Sequence, residues 1–167
     1  MTPAEPTVYV SVIGPGQATG QEREAAEAVG RGLAQAGAVV VCGGLGGVME
    51  AAAKGAREAG GTCVGLLPGR ERAAGNPYLT LALPTGLGEL RNGLVVAAAD
   101  ALVAIGGSWG TLSEIALALR TGKPVVALDS WRLEPPSARR PGDAPGPVRV
   151  ATAAEAVAVA LRLARSG

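Results

Sequence analysis

A chain of 167 residues with a net charge of +1 and no histidine is long enough to close one apolar core. It offers no electrostatic case for nucleic acid, and it excludes Ser-His-Asp and Cys-His catalysis and histidine-based metal sites. Hydrophobic residues make up 48% of the chain but aromatic residues only 2%, with no Phe, so the core must close with Ala, Val and Leu, which suits helices packed tightly on a parallel sheet.

The opening MTPAEPT lacks a basic-then-apolar signal, and no apolar run reaches the roughly 18 residues that span a bilayer. The expectation is a soluble cytoplasmic protein with no membrane partner. TVYVSVI (7–13) is a continuous β-branched run, as in a strand buried on both faces. Gly14-Pro15-Gly16 ends it, and a helix is predicted over about 20–36, with Ala25, Val29, Leu33 and Ala36 at helical spacing and Gly37 as its stop. AVVVC (38–42) is the second strand. A glycine turn at 43–47 leads into an alanine-rich helix to about 59, and TCVGLLP gives a third strand. This βαβαβ order predicts a parallel sheet with right-handed crossovers.

Residues 68–78 read as an exposed loop, LTLAL (79–83) as a short strand, and 88–99 as a helix ended by Asp100. ALVAI is a further strand, followed by Gly106-Gly107-Ser108-Trp109-Gly110, a helix over 111–121, and the strand PVVAL. Five prolines and two glycines in 130–147 predict a flexible surface loop. A strand near 148–150 precedes a last helix opened by the capping box Thr152 to Glu155. The expected fold is a single Rossmann-like, doubly wound α/β domain over 1–167, with a mainly parallel sheet of about six or seven strands. Cys42 and Cys63 lie inside apolar runs and read as buried, reduced thiols.

Three strand–glycine–helix turns, opened by Gly14, by Gly43 and Gly44, and by Gly106, point helix N-termini to one sheet edge, where phosphates and nucleotides bind. None matches a dinucleotide or P-loop pattern: the third glycine after Gly14-Pro15-Gly16 comes one place late, Cys42 stands where a ribose-binding acid belongs, and no G-K-[ST] follows. Thr111 and Glu114 fit a T-x-x-E capping box, a reading as good as a catalytic one. Arg91 stands early in its helix, against the dipole preference, which an anion nearby would explain. Tyr78 and Trp109 are the aromatic candidates for stacking on a ring.

The segment from Gly43 to Met49, then Arg91, then Gly106-Gly107-Ser108-Trp109-Gly110-Thr111-Leu112-Ser113-Glu114 resembles, in that order, the motifs of the LOG-like proteins, a family that also carries a lysine-decarboxylase label. Here Gly106 stands for the signature proline, Ser108 for its second glycine, Asn92 for a lysine and Glu50 for a glycine. Arg91-Asn92, Gly47-Val48-Met49-Glu50 and Gly110 to Glu114 look closer to the branch that includes the molybdenum-cofactor carrier proteins.

The resemblance implies a ligand site built from Gly14, Gly43, Gly44, Met49, Asn92, Gly107, Ser108, Gly110 and Thr111, with Arg91 and Glu114 as catalytic residues. It implies one of two functions. The first is hydrolysis of the N-glycosidic bond of nucleoside 5′-monophosphates, with Glu114 stabilising an oxocarbenium-like charge. The alternative is non-catalytic carriage of molybdenum cofactor or another phosphorylated pterin. Neither requires a resident cofactor or a metal ligand set, and the family resemblance implies a homodimer or homotetramer. Decarboxylation is disfavoured, because Lys54 lies inside a helix and Lys123 in a turn, both away from the glycine-lined edge.

Overall fold

The structure is a computed structural model that describes residues 6–134 and 140–167. Its strands are β1 (Tyr9–Ile13), β2 (Val39–Cys42), β3 (Cys63–Leu67), β4 (Leu81–Pro84), β5 (Ala101–Ile105), β6 (Val125–Leu128) and β7 (Val148–Val150). All seven pair in parallel in the order β4-β3-β2-β1-β5-β6-β7. The helices are α1 (Gly20–Gln35), α2 (Val48–Glu58), α3 (Asn92–Ala97), α4 (Trp109–Arg120) and α5 (Ala153–Ala164). This is the Rossmann-like α/β arrangement expected from the sequence. Most of the 130–147 segment is described; its residues 135–139 lie outside the described residues.

Alternation along the strands sorts the core into two layers. Val10, Val12, Val103 and Ile105 pack with α1, α2 and α5 on one face, whereas Ile13, Leu102 and Ala104 pack with α3 and α4 on the other. Ser11 also points to the second face, where its hydroxyl donates to the Val95 carbonyl at 2.7 Å. Burial on both faces is why these strands read as unbroken apolar runs.

Local chemistry sets the helix ends. Thr19 and Glu22 form a reciprocal capping box on α1, a signal that the periodicity reading passed over. At the start of α2, Gly47 adopts φ of 67°, and a Cβ there would run into the Pro15–Gly16 main chain. The helix expected over 88–99 forms in two pieces, a 3-10 turn at Gly88–Arg91 and the short α3. Arg91 sits at the joint between them.

The small-residue core lets α1 and α2 touch backbone to backbone. A methyl on Gly30 would collide with the Ala52 carbonyl, and one on Gly55 with the Glu27 carbonyl. Around this contact, Lys54 bonds Glu27 at 3.0 Å and Arg31 bonds both Glu27 and Glu58. Gly55→Val is therefore expected to lower stability by roughly 1–3 kcal/mol, the usual range for overpacking. A urea midpoint equal to the wild type's would show that the helices do not approach this closely.

Candidate functional site

The strand order reverses between β1 and β5: the chain runs outward from β1 to β4, then returns to place β5 on the other side of β1. Loops leaving the carboxyl ends of those two strands diverge and open a crevice, the usual ligand position in such sheets. A cavity of about 140 Å³ lies there, lined by Val12, Ile13 and Gly14 from β1 and its turn, by Gly43 and Met49, by Arg91 and Asn92, and by Ser108, Gly110, Thr111 and Glu114. Gly14 and Gly43 are needed for room: a Cβ on Gly14 would lie 2.7 Å from the Val48 side chain, and one on Gly43 would lie 2.6 Å from Met49 Sδ and closer still to Arg91.

One wall is the N-terminus of α4. Gly106, at φ of 65°, turns the chain out of β5, and Ser108 caps the helix, its Oγ accepting from the Thr111 N–H at 3.2 Å and lying 3.0 Å from Thr111 Oγ1. The cap thus falls one turn earlier than the T-x-x-E reading placed it. Glu114 has no capping role, and the helix begins at Trp109 rather than at Thr111. The first N–H groups of α4 stay free of intrahelical partners and carry the positive end of the helix dipole.

Arg91 forms the opposite wall and is only 7% exposed. Its Nη1 donates to the Leu66 carbonyl at 2.7 Å and to the Gly43 carbonyl, tying the turn before α3 to the ends of β2 and β3. Its Nε is buried and has no hydrogen-bond partner among the described residues. Burial pulls the guanidinium below the ordinary arginine range, while the Glu114 charge pulls it back up. A buried cation lining the same cavity as a helix N-terminus suits an anion.

Glu114 is 9% exposed, and no described residue hydrogen-bonds its carboxyl. Burial raises its pKa to about 7, against the lowering effect of Arg91. The contact ion pairs among the described residues lie elsewhere, so Arg91 acts on Glu114 across the cavity. A carboxyl that titrates near neutrality can either accept or donate a hydrogen bond there.

The structure brings Gly14, Gly43, Met49, Arg91, Asn92, Ser108, Gly110, Thr111 and Glu114 together in the cavity lining. Gly44 lies outside it, in a turn (φ of 77°) where a Cβ would meet Leu67. Gly107 also lies outside, packed beneath the Trp131 indole. Sequence reading missed Trp131, whose Nε1 donates to the Ser108 carbonyl at 3.1 Å and whose ring sits 5.4 Å from that of Trp109; the only signal was an apolar pair, Trp131 and Leu133, entering a proline-rich stretch. Tyr78 packs against the core away from the cavity.

Both lysines are occupied elsewhere, Lys54 by Glu27 and Lys123 by the Ala97 and Ala99 carbonyls behind α3. Two broader clefts, of about 620 and 610 Å³, run along the same edge. Arg132, Arg149 and Glu155 of these clefts are exposed, whereas Arg91, Thr111 and Glu114 of the small cavity are buried. No helix among the described residues is long and apolar enough to cross a membrane.

Known proteins share this fold. The chain is 44% identical over 121 residues to an uncharacterized protein of Archaeoglobus fulgidus, covering 72% of this chain and 80% of that one. Among solved structures, it is similar to the molybdenum cofactor carrier protein of Chlamydomonas reinhardtii (33% identity, 95% of this chain and 98% of that chain, TM-score 0.81). It is also similar to the molybdenum cofactor binding protein of Rippkaea orientalis (38% identity, 77% and 80% covered, TM-score 0.73). The match at residues 7–158 to the family model shows that the chain belongs to the SLOG cluster4 family.

Proposed function

We propose that this protein binds and carries a phosphorylated pterin, with molybdenum cofactor as the cargo, and does not turn it over. The observation that carries the reading is the anion hollow itself, lined by both the α4 N-terminus and the buried Arg91. Similarity to two proteins that bind this cofactor supports the choice of ligand over a nucleotide. At about 140 Å³ the hollow is smaller than the roughly 300–1,000 Å³ that enclose a drug-sized ligand. It therefore takes the phosphate end, and the ring system lies outside along the sheet edge.

Arg91, Ser108, Gly110 and Thr111 hold the phosphate in this reading, while Gly14, Gly43 and Met49 shape the floor. Leu87, Leu90, Leu94 and Leu117 are exposed around α3 and α4 and give the protein an apolar face for self-association as a dimer or tetramer. The test is retention against turnover. Protein mixed with molybdenum cofactor and desalted should keep the fluorescent pterin, and incubation with AMP should release no adenine. Loss of the pterin on desalting, together with adenine release that Glu114→Gln abolishes, would replace the carrier by a phosphoribohydrolase.

A further inference from the structure

Glu114 is the one feature of the hollow that an anion site does not ask for. A carboxyl and a bound oxyanion would share a space of about 140 Å³, on the order of four or five water volumes. No donor among the described residues satisfies the carboxyl, and Arg91 commits its Nη1 to two main-chain carbonyls instead of to Glu114. The other ionisable group whose charge interacts with Glu114 is Cys42, buried at the end of β2. The parts of β1 and α4 that line the hollow bring no further charge.

Two negative charges in so narrow a space repel, and one proton placed between them turns the repulsion into a short O–H···O⁻ bond. We infer that the bound anion and Glu114 hold a single proton between them, so that Glu114 favours an oxyanion that still carries a proton over one that has none. No covalent bond changes; the proton comes from the P–OH or from the carboxyl. A phosphoryl group loses its second proton near pH 6, close to the value of about 7 at which burial sets Glu114. Sulfate has no proton to bring in this range. This inference rests on the anion-binding reading above and adds the residue that selects the anion.

Calorimetric titration with inorganic phosphate and with inorganic sulfate, at pH 6.5 and 8.5, separates the cases. Sulfate binding requires Glu114 to be protonated, so its affinity should fall about twenty-fold between the two pH values, following a group that titrates at about 7. Hydrogen phosphate brings its own proton, so its affinity should change less than about threefold. Ribose 5-phosphate, a dianion at pH 8.5, should follow the sulfate slope.

In Glu114→Gln the amide always donates, and the sulfate slope should vanish; in Cys42→Ser it should persist. Parallel phosphate and sulfate profiles in the wild type, or a sulfate slope that survives Glu114→Gln, would overturn the shared proton while leaving the anion site standing. Failure of the wild type to bind either ion at pH 6.5 would remove the anion site itself, and this inference with it.

Discussion

Arg91→Met is expected to cost about 3–5 kcal/mol of stability and to abolish binding of phosphorylated ligands. Methionine fills a similar volume, so the loss is not a cavity effect. The guanidinium is a buried cross-link between three elements: it sits on the turn before α3 and bonds the Gly43 carbonyl after β2 and the Leu66 carbonyl in β3. Removing it leaves two carbonyl groups short of a donor and the Glu114 carboxyl without its compensating charge, the circumstance in which deleting one partner of a buried polar set is most destabilising. Arg91→Lys should recover part of the stability and little of the binding, because an ammonium cannot bond the carbonyls and at the same time present a second donor to an anion. Urea denaturation and fluorescence titration with ribose 5-phosphate read the two effects; the latter works because Trp109 and Trp131, the protein's two tryptophans, flank the α4 N-terminus. A Met variant within 1 kcal/mol of wild type would mean that Arg91 is not the cross-link described.

Much of this arrangement is visible in the sequence because its causes are local. Strands buried on both faces have to be continuous β-branched runs, and a chain turning from strand into helix against a neighbouring backbone has to use glycine, so TVYVSVI, AVVVC, ALVAI and the three glycine turns could be placed without coordinates. What stayed hidden depends on backbone angles or distant partners. Ser108 and Thr111 are equally good caps on paper; the left-handed turn at Gly106 decides for Ser108 and thereby releases Glu114 into the cavity. Nothing local says that Arg91 will reach carbonyls 48 and 25 residues away, or that Trp131 will fold back onto Ser108. The helix at 88–99 was overlong for a similar reason: apolar spacing runs through it, but the 3-10 turn that delivers Arg91 to the sheet edge takes up its first part.

Glu114→Gln is expected to make the protein more stable above neutral pH while removing the selectivity proposed for it. The folded protein holds this proton up to about pH 7, against an ordinary carboxylate value of 4.5. Between those values the folded state keeps a proton that the unfolded state has given up, so stability falls as pH rises through the window and levels off above it. The separation corresponds to about 3 kcal/mol, reduced somewhat because the charged carboxylate also compensates Arg91. Glutamine has no such dependence. The variant and the wild type should therefore melt together near pH 4 and diverge toward pH 8, where the variant should melt higher by roughly 5–10 °C for a chain of this length. Parallel melting curves across that range would place the carboxylate in water.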